Sequence, residues 1–130
     1  MKAYRVLQHN VSQEVKKFGL NPTQWFILGQ ILRNKDMRTA DLADLLKVDP
    51  PLITSLTDDL ETKGLIKKVQ HADDKRVRLL KLTPKATRLI PTIEAELQAV
   101  LSKLLKGVDA KEISTYHKVL ETIIKNGQQI

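Results

Sequence analysis

The sequence of 130 residues contains no cysteine, which excludes disulfide frameworks, cysteine-ligated zinc fingers and thiol-based redox switches within it. Aromatic residues are scarce, with one tryptophan, two tyrosines and two phenylalanines. Single-strand binders need aromatic rings on which bases stack, so an RRM-like or OB-like surface is disfavoured. The five glycines are scattered and form neither a phosphate loop nor a nucleophile elbow. We therefore expect neither an enzyme nor a bound cofactor.

Long hydrophobic runs are also missing. The longest apolar stretch spans residues 25–28, far short of the roughly 18 residues that a membrane-spanning helix requires. No segment has the pattern of a signal peptide. The apolar content of 42% is enough for the core of one domain. We expect a cytoplasmic protein that has no membrane partner.

Positive charge is present in excess and is concentrated in one region. Lysine and arginine number 22 against 15 aspartates and glutamates, which gives a formal net charge of +7 and favours a polyanionic partner such as nucleic acid. Residues 63–88 alone contain nine basic and two acidic residues. This segment therefore carries the whole excess, and the remainder of the chain sums to zero.

The N-terminal half of the chain is predicted to be helical. Apolar residues recur at helical spacing over residues 1–18, and Gly19 ends that helix. Asn21, Pro22 and Gln24 are typical of a helix start with a capping box. The apolar face of this second helix is predicted to contain Trp25, Leu28, Ile31 and Leu32.

Two further helices separated by a short break predict a helix-turn-helix. Thr39 is expected to cap a helix over residues 39–46, and residues 47–49 form the break. The pair Asp49 and Pro50 then opens a helix over residues 50–63, which Gly64 ends. A turn of about three residues between two helices is typical of this motif. The buried stripe of the second helix is predicted to be Ile53, Leu56 and Leu60.

A β-hairpin is predicted immediately after these helices. Residues 66–82 change to strand periodicity around a charged tip, and a hairpin in this position makes a winged helix. Thr83 and Pro84 open a long helix whose apolar residues alternate at spacings of three and four, a pattern of helix-on-helix packing. Pro91 within it predicts a kink or a late start. Gly107 ends it, and a capping box at residues 109–112 opens a last helix.

These elements predict a mainly α fold with a small β-hairpin wing, a winged helix-turn-helix with about six helices. We expect an N-terminal dimerisation helix at residues 1–20, a DNA-binding region at residues 21–83 and C-terminal dimerisation helices at residues 84–130. Long amphipathic helices at both ends of a small domain suggest that the ends form a dimer.

Four segments resemble motifs of the MarR/SlyA family of winged-helix transcriptional regulators, in the same order and spacing. They are LNPTQWFIL at residues 20–28, TADLA at residues 39–43, LETKGLI at residues 60–66, and DDKR at residues 73–76 followed by LLKLT at residues 79–83. The resemblance implies a homodimer that binds pseudo-palindromic double-stranded DNA through recognition helix 50–63 and wing 66–82. It also implies regulation by a small aromatic or phenolic ligand, as in many family members.

The wing contains the sharpest candidate site. Arg76 at the hairpin tip could enter the minor groove, where a narrow groove concentrates negative potential. Asp74 could orient that arginine through a bidentate pair, and Lys75 and Arg78 could contact phosphates. The competing interpretation of this tip is a solvated turn without a DNA contact.

The recognition helix is less clear. Thr54 and Ser55, together with Leu52 and Thr57, are candidates for contacts with base edges in the major groove. However, residues 39–63 contain six acidic and two basic residues, and acids that face a polyanion lower its affinity. An alternative function is therefore a winged-helix protein with weak or lost sequence-specific DNA binding that acts on a protein partner as an anti-regulator.

The remaining candidates are weaker. Arg38, Thr39 and Lys63 could meet phosphates, Thr39 at a helix N-terminus. An effector pocket in this family lies between the dimer region and the winged helix, where the candidates are Trp25, Phe26, His9 and Met37. The default interpretation of each is an ordinary place in the core or on the surface, and a ligand site is the alternative. The histidines lie far apart, with His117 and Glu121 the only one-turn pair, so we expect no metal site.

Overall fold

Six helices and one β-hairpin make up the chain in the computed structural model, which describes residues 1–130. In chain order the elements are α1 (Lys2–Lys16), α2 (Pro22–Arg33), α3 (Thr39–Leu46), α4 (Pro50–Thr62), β1 (Ile66–Gln70), β2 (Arg78–Leu82), α5 (Pro84–Leu104) and α6 (Ala110–Gly127). The predicted fold class, a mainly α winged helix-turn-helix with a small hairpin, is confirmed. None of the helices is both long enough and apolar enough to cross a membrane.

The chain divides into two units, Met1–Leu97 and Gln98–Ile130. The core of the first unit is built from α1 to α4, the hairpin and the first half of α5. Its largest fully buried side chains are Val15, Ile27, Leu28, Leu42, Ile53, Thr57, Leu60, Leu65, Ile66, Leu80 and Ile93. In the second unit, α6 buries none of its residues.

The start of α2 is fixed by the capping box predicted from its sequence. The Asn21 side chain accepts a hydrogen bond from the backbone N–H of Gln24 at 2.8 Å, and the Gln24 side chain accepts one from the backbone N–H of Asn21 at 3.1 Å. The predicted apolar face of this helix is partly wrong. Ile27 is fully buried, whereas Leu32 is 50% exposed, because the core lies about one position round the helix from the predicted stripe.

The turn between α3 and α4 depends on one residue in a left-handed conformation. Lys47 ends α3 with φ 55° and ψ 42°, and the backbone N–H of Val48 donates to the carbonyl of Ala43 at 3.2 Å. Asp49 then occupies the N-cap position and Pro50 the first helical position of α4, as predicted, although the Asp49 side chain makes no capping hydrogen bond. At the other end of α4, Gly64 has φ +73°, a conformation that glycine adopts without strain.

The hairpin pairs β1 with β2 in antiparallel register from Ile66 opposite Leu82 to Gln70 opposite Arg78. Its base is anchored to the helices on one side by Met37, whose carbonyl accepts from the backbone N–H of Leu80 at 2.8 Å. Thr83 ties the end of β2 to the end of α4, because its hydroxyl donates to the Gly64 carbonyl at 2.6 Å.

The long helix α5 begins at Pro84, where the Thr83 hydroxyl accepts from the backbone N–H of Ala86 at 3.2 Å. The helix continues through Pro91, so a late start at that proline is wrong. Only one helical hydrogen bond is lost there, and Ile90 and Ile93 on either side are buried. The last helix, α6, opens with the predicted capping box between Asp109 and Glu112.

Candidate nucleic-acid interface

The tip of the hairpin is organised around Asp74. Its carboxylate accepts from the backbone N–H of Arg76 at 3.0 Å, and its carbonyl accepts from the backbone N–H of Val77, also at 3.0 Å. The guanidinium of Arg76 donates to both carboxylate oxygens, from Nε at 3.2 Å and from Nη2 at 3.3 Å. Asp74 therefore orients the arginine through the bidentate pair that the sequence suggested.

This arginine is almost completely open to solvent, since 91% of its side chain is exposed. The hydrogen bonds from Arg76 hold the pKa of the Asp74 carboxyl below its usual range. The interaction thus favours the ionised carboxylate, which is the form that holds the guanidinium. Contact of Arg76 with DNA stays a prediction.

The rest of the tip is a series of turns that leaves basic side chains free. The backbone N–H of His71 donates to the Val77 carbonyl at 2.8 Å, and the ring Nδ1 of His71 accepts from the backbone N–H of Asp73 at 3.0 Å. Lys75 and Arg78 are exposed and have no ion-pair partner. Both are therefore available to an anionic ligand, and their predicted contact with phosphates is not contradicted.

The first two turns of α4 present a mixed surface. Leu52, Thr54 and Ser55 are exposed there, in the positions from which a recognition helix reads bases. Thr57 was a further candidate, and that prediction is wrong. Its side chain is fully buried, and its hydroxyl donates to the Ile53 carbonyl at 2.9 Å.

The acids of α4 lie in its last two turns, and each accepts from a polar group of another residue. Asp58 pairs with Lys68 of β1, and Asp59 pairs with Lys63. Hydrogen bonds from Lys63 and then from Gln24 lower the pKa of the Asp59 carboxyl. Glu61 accepts from the backbone N–H of Lys68 at 3.3 Å. The exposed first half of the helix therefore carries no acid other than Asp49 at its N-cap. The count of acidic residues over residues 39–63 does not show this distribution.

The N-terminus of α3 differs from the prediction. Arg38, not Thr39, occupies the N-cap position, and its backbone N–H donates to the Asp41 carboxylate at 2.9 Å. The Arg38 side chain donates to the same carboxylate at 3.2 and 3.0 Å, and this bond lowers the pKa of Asp41. The helix therefore has no cap from the Thr39 hydroxyl: the Asp41 carboxylate accepts from the backbone N–H of the N-cap residue, and Thr39 is the first residue of the helix.

A shallow groove runs between α3 and α4. It has a volume of about 160 Å³ and is lined by Thr39, Ala40, Ala43, Asp44, Pro50 and Thr54. Two of the predicted DNA-binding residues, Thr39 and Thr54, thus lie on the same concave surface. Arg38 precedes this surface in the chain, and Lys63 lies at the far end of α4.

The candidates for ligand binding lie in different environments. His9 is exposed on α1, Phe26 is 38% exposed, and Trp25 is partly buried against the core. Met37 is only 8% exposed, and its backbone bridges to Leu80, so it has a structural role at the base of the hairpin. A ligand role for these residues stays a prediction.

Comparison with known proteins shows the fold and a family match over part of the chain. A family model described as the MarR family matches residues 20–77, which span α2 to the hairpin tip. The transcriptional regulator PA3341 is 29% identical, with 99% of this chain and 95% of that chain covered and a TM-score of 0.82. A MarR transcriptional regulator from Methanosarcina mazei Go1 is 21% identical over 97% of this chain and 91% of that chain, with a TM-score of 0.86. CouR from Rhodococcus jostii RHA1, whose structure contains p-coumaroyl-CoA, is 20% identical over 94% and 86%, with a TM-score of 0.80.

Residues 20–77 of the chain therefore match the MarR family. The chain has the winged helix-turn-helix fold of the transcriptional regulators to which it is similar. The exposed wing arginine and the exposed first half of α4 lie on the two elements that carry DNA contacts in winged-helix proteins.

Three contacts that shape this surface had no signal in the sequence. Gln24 donates to Asp59 at 2.7 Å across a separation of 35 residues, and Lys68 reaches Asp58. The Met37 carbonyl accepts from Leu80. Each contact joins elements that are distant in the chain, so only the packing of α2, α4 and the hairpin brings the partners together.

Proposed function

We propose that this protein is a homodimeric transcriptional regulator of the MarR family that binds a pseudo-palindromic double-stranded operator. Recognition helix 50–63 would enter the major groove, while wing 66–82 would reach the adjacent minor groove. The observation that carries this proposal is Arg76, a 91% exposed basic side chain that Asp74 holds at the tip of the wing.

The charge arrangement on α4 supports the same proposal. The surface that would face the major groove contains Leu52, Thr54 and Ser55, while Asp58 and Asp59 pair with lysines. A leucine can contact a thymine methyl group, and a hydroxyl can donate to or accept from a base edge. The acidity of the segment is therefore compatible with DNA binding through the first half of the helix.

The exposed apolar surface of the terminal helices supports a homodimer. Helix α6 has no buried residue, yet one of its faces carries Tyr116, Val119, Leu120, Ile123 and Ile124, which are between 36% and 62% exposed. In α1, Tyr4 and Val6 are 58% and 49% exposed. An exposed apolar face such as that of α6 marks an interface, and a second copy of the chain is the occupant that we propose, with residues 1–20 and 84–130 as the dimerisation region.

A small aromatic or phenolic effector is the proposed modulator. CouR shares this fold and was crystallised with p-coumaroyl-CoA. In this chain Trp25 is partly buried beside the core, where its fluorescence would respond to a neighbouring ligand. A titration with salicylate-like compounds should change the emission of Trp25 and release bound DNA at the same concentrations.

The decisive experiment compares the protein's own upstream region with a random duplex of equal length across a salt series. We expect binding to the upstream region to be at least about a thousand times tighter at physiological salt, with a salt slope of several units. Sedimentation of the free protein should give a dimer, and Ile123→Lys should shift it to the monomer while leaving the helical content unchanged.

Equal and weak binding to both duplexes would contradict this function. It would favour the alternative, a winged-helix protein that acts on a protein partner. A wild-type protein that sediments as a monomer at micromolar concentration would contradict the proposed dimer without affecting the result for DNA.

A further inference from the structure

The first strand of the wing is attached to the recognition helix by two polar contacts at a single residue. The ammonium group of Lys68 pairs with the Asp58 carboxylate, and the backbone N–H of Lys68 donates to the Glu61 carboxylate at 3.3 Å. The Lys68 side chain is only 13% exposed. It is thus shielded between the strand and the helix and is not a free surface lysine.

The register of the hairpin makes these contacts a clamp. Lys68 lies opposite Leu80, and the backbone N–H of Leu80 donates outward to the Met37 carbonyl at 2.8 Å. At this one level the outer edge of β1 is held by Glu61 and the outer edge of β2 by Met37. The hairpin is therefore held from both sides near its base, while its tip projects freely.

The neighbouring acid attaches the same part of α4 to α2. Asp59 accepts from the side chain of Gln24 at 2.7 Å, and that amide also donates to the Leu56 carbonyl at 3.3 Å. Gln24 is 3% exposed and starts α2 through its capping box. Asp58 and Asp59 thus point to different neighbours, the first to the wing and the second to α2.

We propose that Asp58 and Lys68 are positioning residues that hold the wing at a set angle to recognition helix α4. The proposal rests on the DNA-binding function above. A protein that contacts DNA through both a recognition helix and a wing needs the two elements in a fixed relative position to fit one DNA site. Acids on a DNA-binding helix lower affinity when they act only as charges. As a clamp, Asp58 would instead increase discrimination between operator and random DNA.

Asp58→Asn is an informative variant because the two roles of Asp58, as a repelling charge and as a clamp, predict opposite effects on DNA binding. The substitution removes the negative charge of Asp58 and leaves Lys68 without its ion-pair partner, so binding to a random duplex should tighten. The ratio of operator affinity to random-duplex affinity should nevertheless fall by about threefold to tenfold, the factor expected for one partly shielded ion pair. The double variant Asp58→Lys with Lys68→Asp should restore the ratio, because it restores the pair with its charges exchanged.

Asp44→Asn is the matched control, since Asp44 is an exposed acid of α3 without an ion-pair partner. It should tighten binding to both duplexes equally. Hydrogen exchange of the free protein gives a readout that needs no DNA: Asp58→Asn should speed exchange of the amides of β1 by at least about threefold and leave those of α6 unchanged, whereas Asp44→Asn should change neither.

Unchanged exchange in β1 of Asp58→Asn would overturn the clamp, and so would a variant that tightens both duplexes equally, as the control does. A wild-type protein that does not discriminate between the duplexes would refute the DNA-binding function instead. In that case the exchange measurement still decides whether Asp58 holds the wing.

Discussion

Replacing Arg76 by alanine tests the wing most directly. In the free protein its guanidinium is 91% exposed and forms its only ion pair with Asp74, at 3.2 and 3.3 Å. Pairs this exposed contribute between zero and about 1 kcal/mol to folding. Arg76→Ala should therefore leave the midpoint of thermal unfolding and the oligomeric state almost unchanged.

The effect on DNA binding should be much larger. A single arginine contact with DNA is worth about 1–3 kcal/mol, and a symmetric dimer would lose two of them. The combined loss of about 2–6 kcal/mol corresponds to a decrease in affinity of more than tenfold, at about 1.4 kcal/mol per factor of ten. The slope of log affinity against log salt should fall by about two, because each lost cation releases about one fewer counterion.

Fluorescence anisotropy with the upstream duplex, first at fixed salt and then across a salt series, measures both quantities. Lys16→Ala is the charge-matched control, because Lys16 is exposed on α1 and has no ion-pair partner. Arg76→Lys keeps the charge but loses the planar fork that binds Asp74, so its affinity should lie between those of the alanine variant and the wild type. An Arg76→Ala affinity equal to that of the wild type at fixed salt would refute the reasoning.

Further predictions concern stability. The pKa values of Asp41, Asp59 and Asp74 are lowered by hydrogen bonds from Arg38, Lys63 and Arg76 respectively. These carboxylates should therefore stabilise the fold above pH ~4 and lose that contribution as the pH falls through their lower folded pKa values. In the corresponding asparagine variants, the free energy of unfolding by urea should depend less on pH. Leu60→Ala should cost about 2–5 kcal/mol in urea unfolding because Leu60 is fully buried, whereas Leu45→Ala, at 52% exposed, should cost less than about 1 kcal/mol; equal costs would contradict the core described here. Lys47→Gly should stabilise the protein by about 0.5–1 kcal/mol because it relieves a left-handed conformation, and a loss of stability would argue against that turn.

Local signals in the sequence predicted the elements well where their physics is itself local. The capping boxes at Asn21 and Asp109 depend on residues three positions apart, and both form. Gly64 was predicted to end α4 and does so. The cap of α3 was assigned to Thr39 because threonine is a common N-cap residue. The structure places the N-cap one residue earlier, at Arg38, whose backbone N–H donates to Asp41 three residues ahead.

Burial could not be predicted with the same accuracy. Thr57 and Leu32 differ from what their polarity predicts, since the threonine is buried and the leucine is half exposed. A helical pattern locates an apolar face only to within about one residue. Which residues of that face reach the core depends on the neighbouring helices.

The sequence by itself therefore determined the order of the elements, the caps that begin and end most of them, the charged wing with Asp74 beside Arg76, and the resemblance to the MarR family. Only the tertiary structure decided what the charges of the recognition helix do. The net charge of residues 39–63 counts every acid as unfavourable for DNA binding, because it does not show where each side chain points. Folding points Asp58 at the wing and Asp59 at Gln24 and Lys63, and leaves the first half of α4 open.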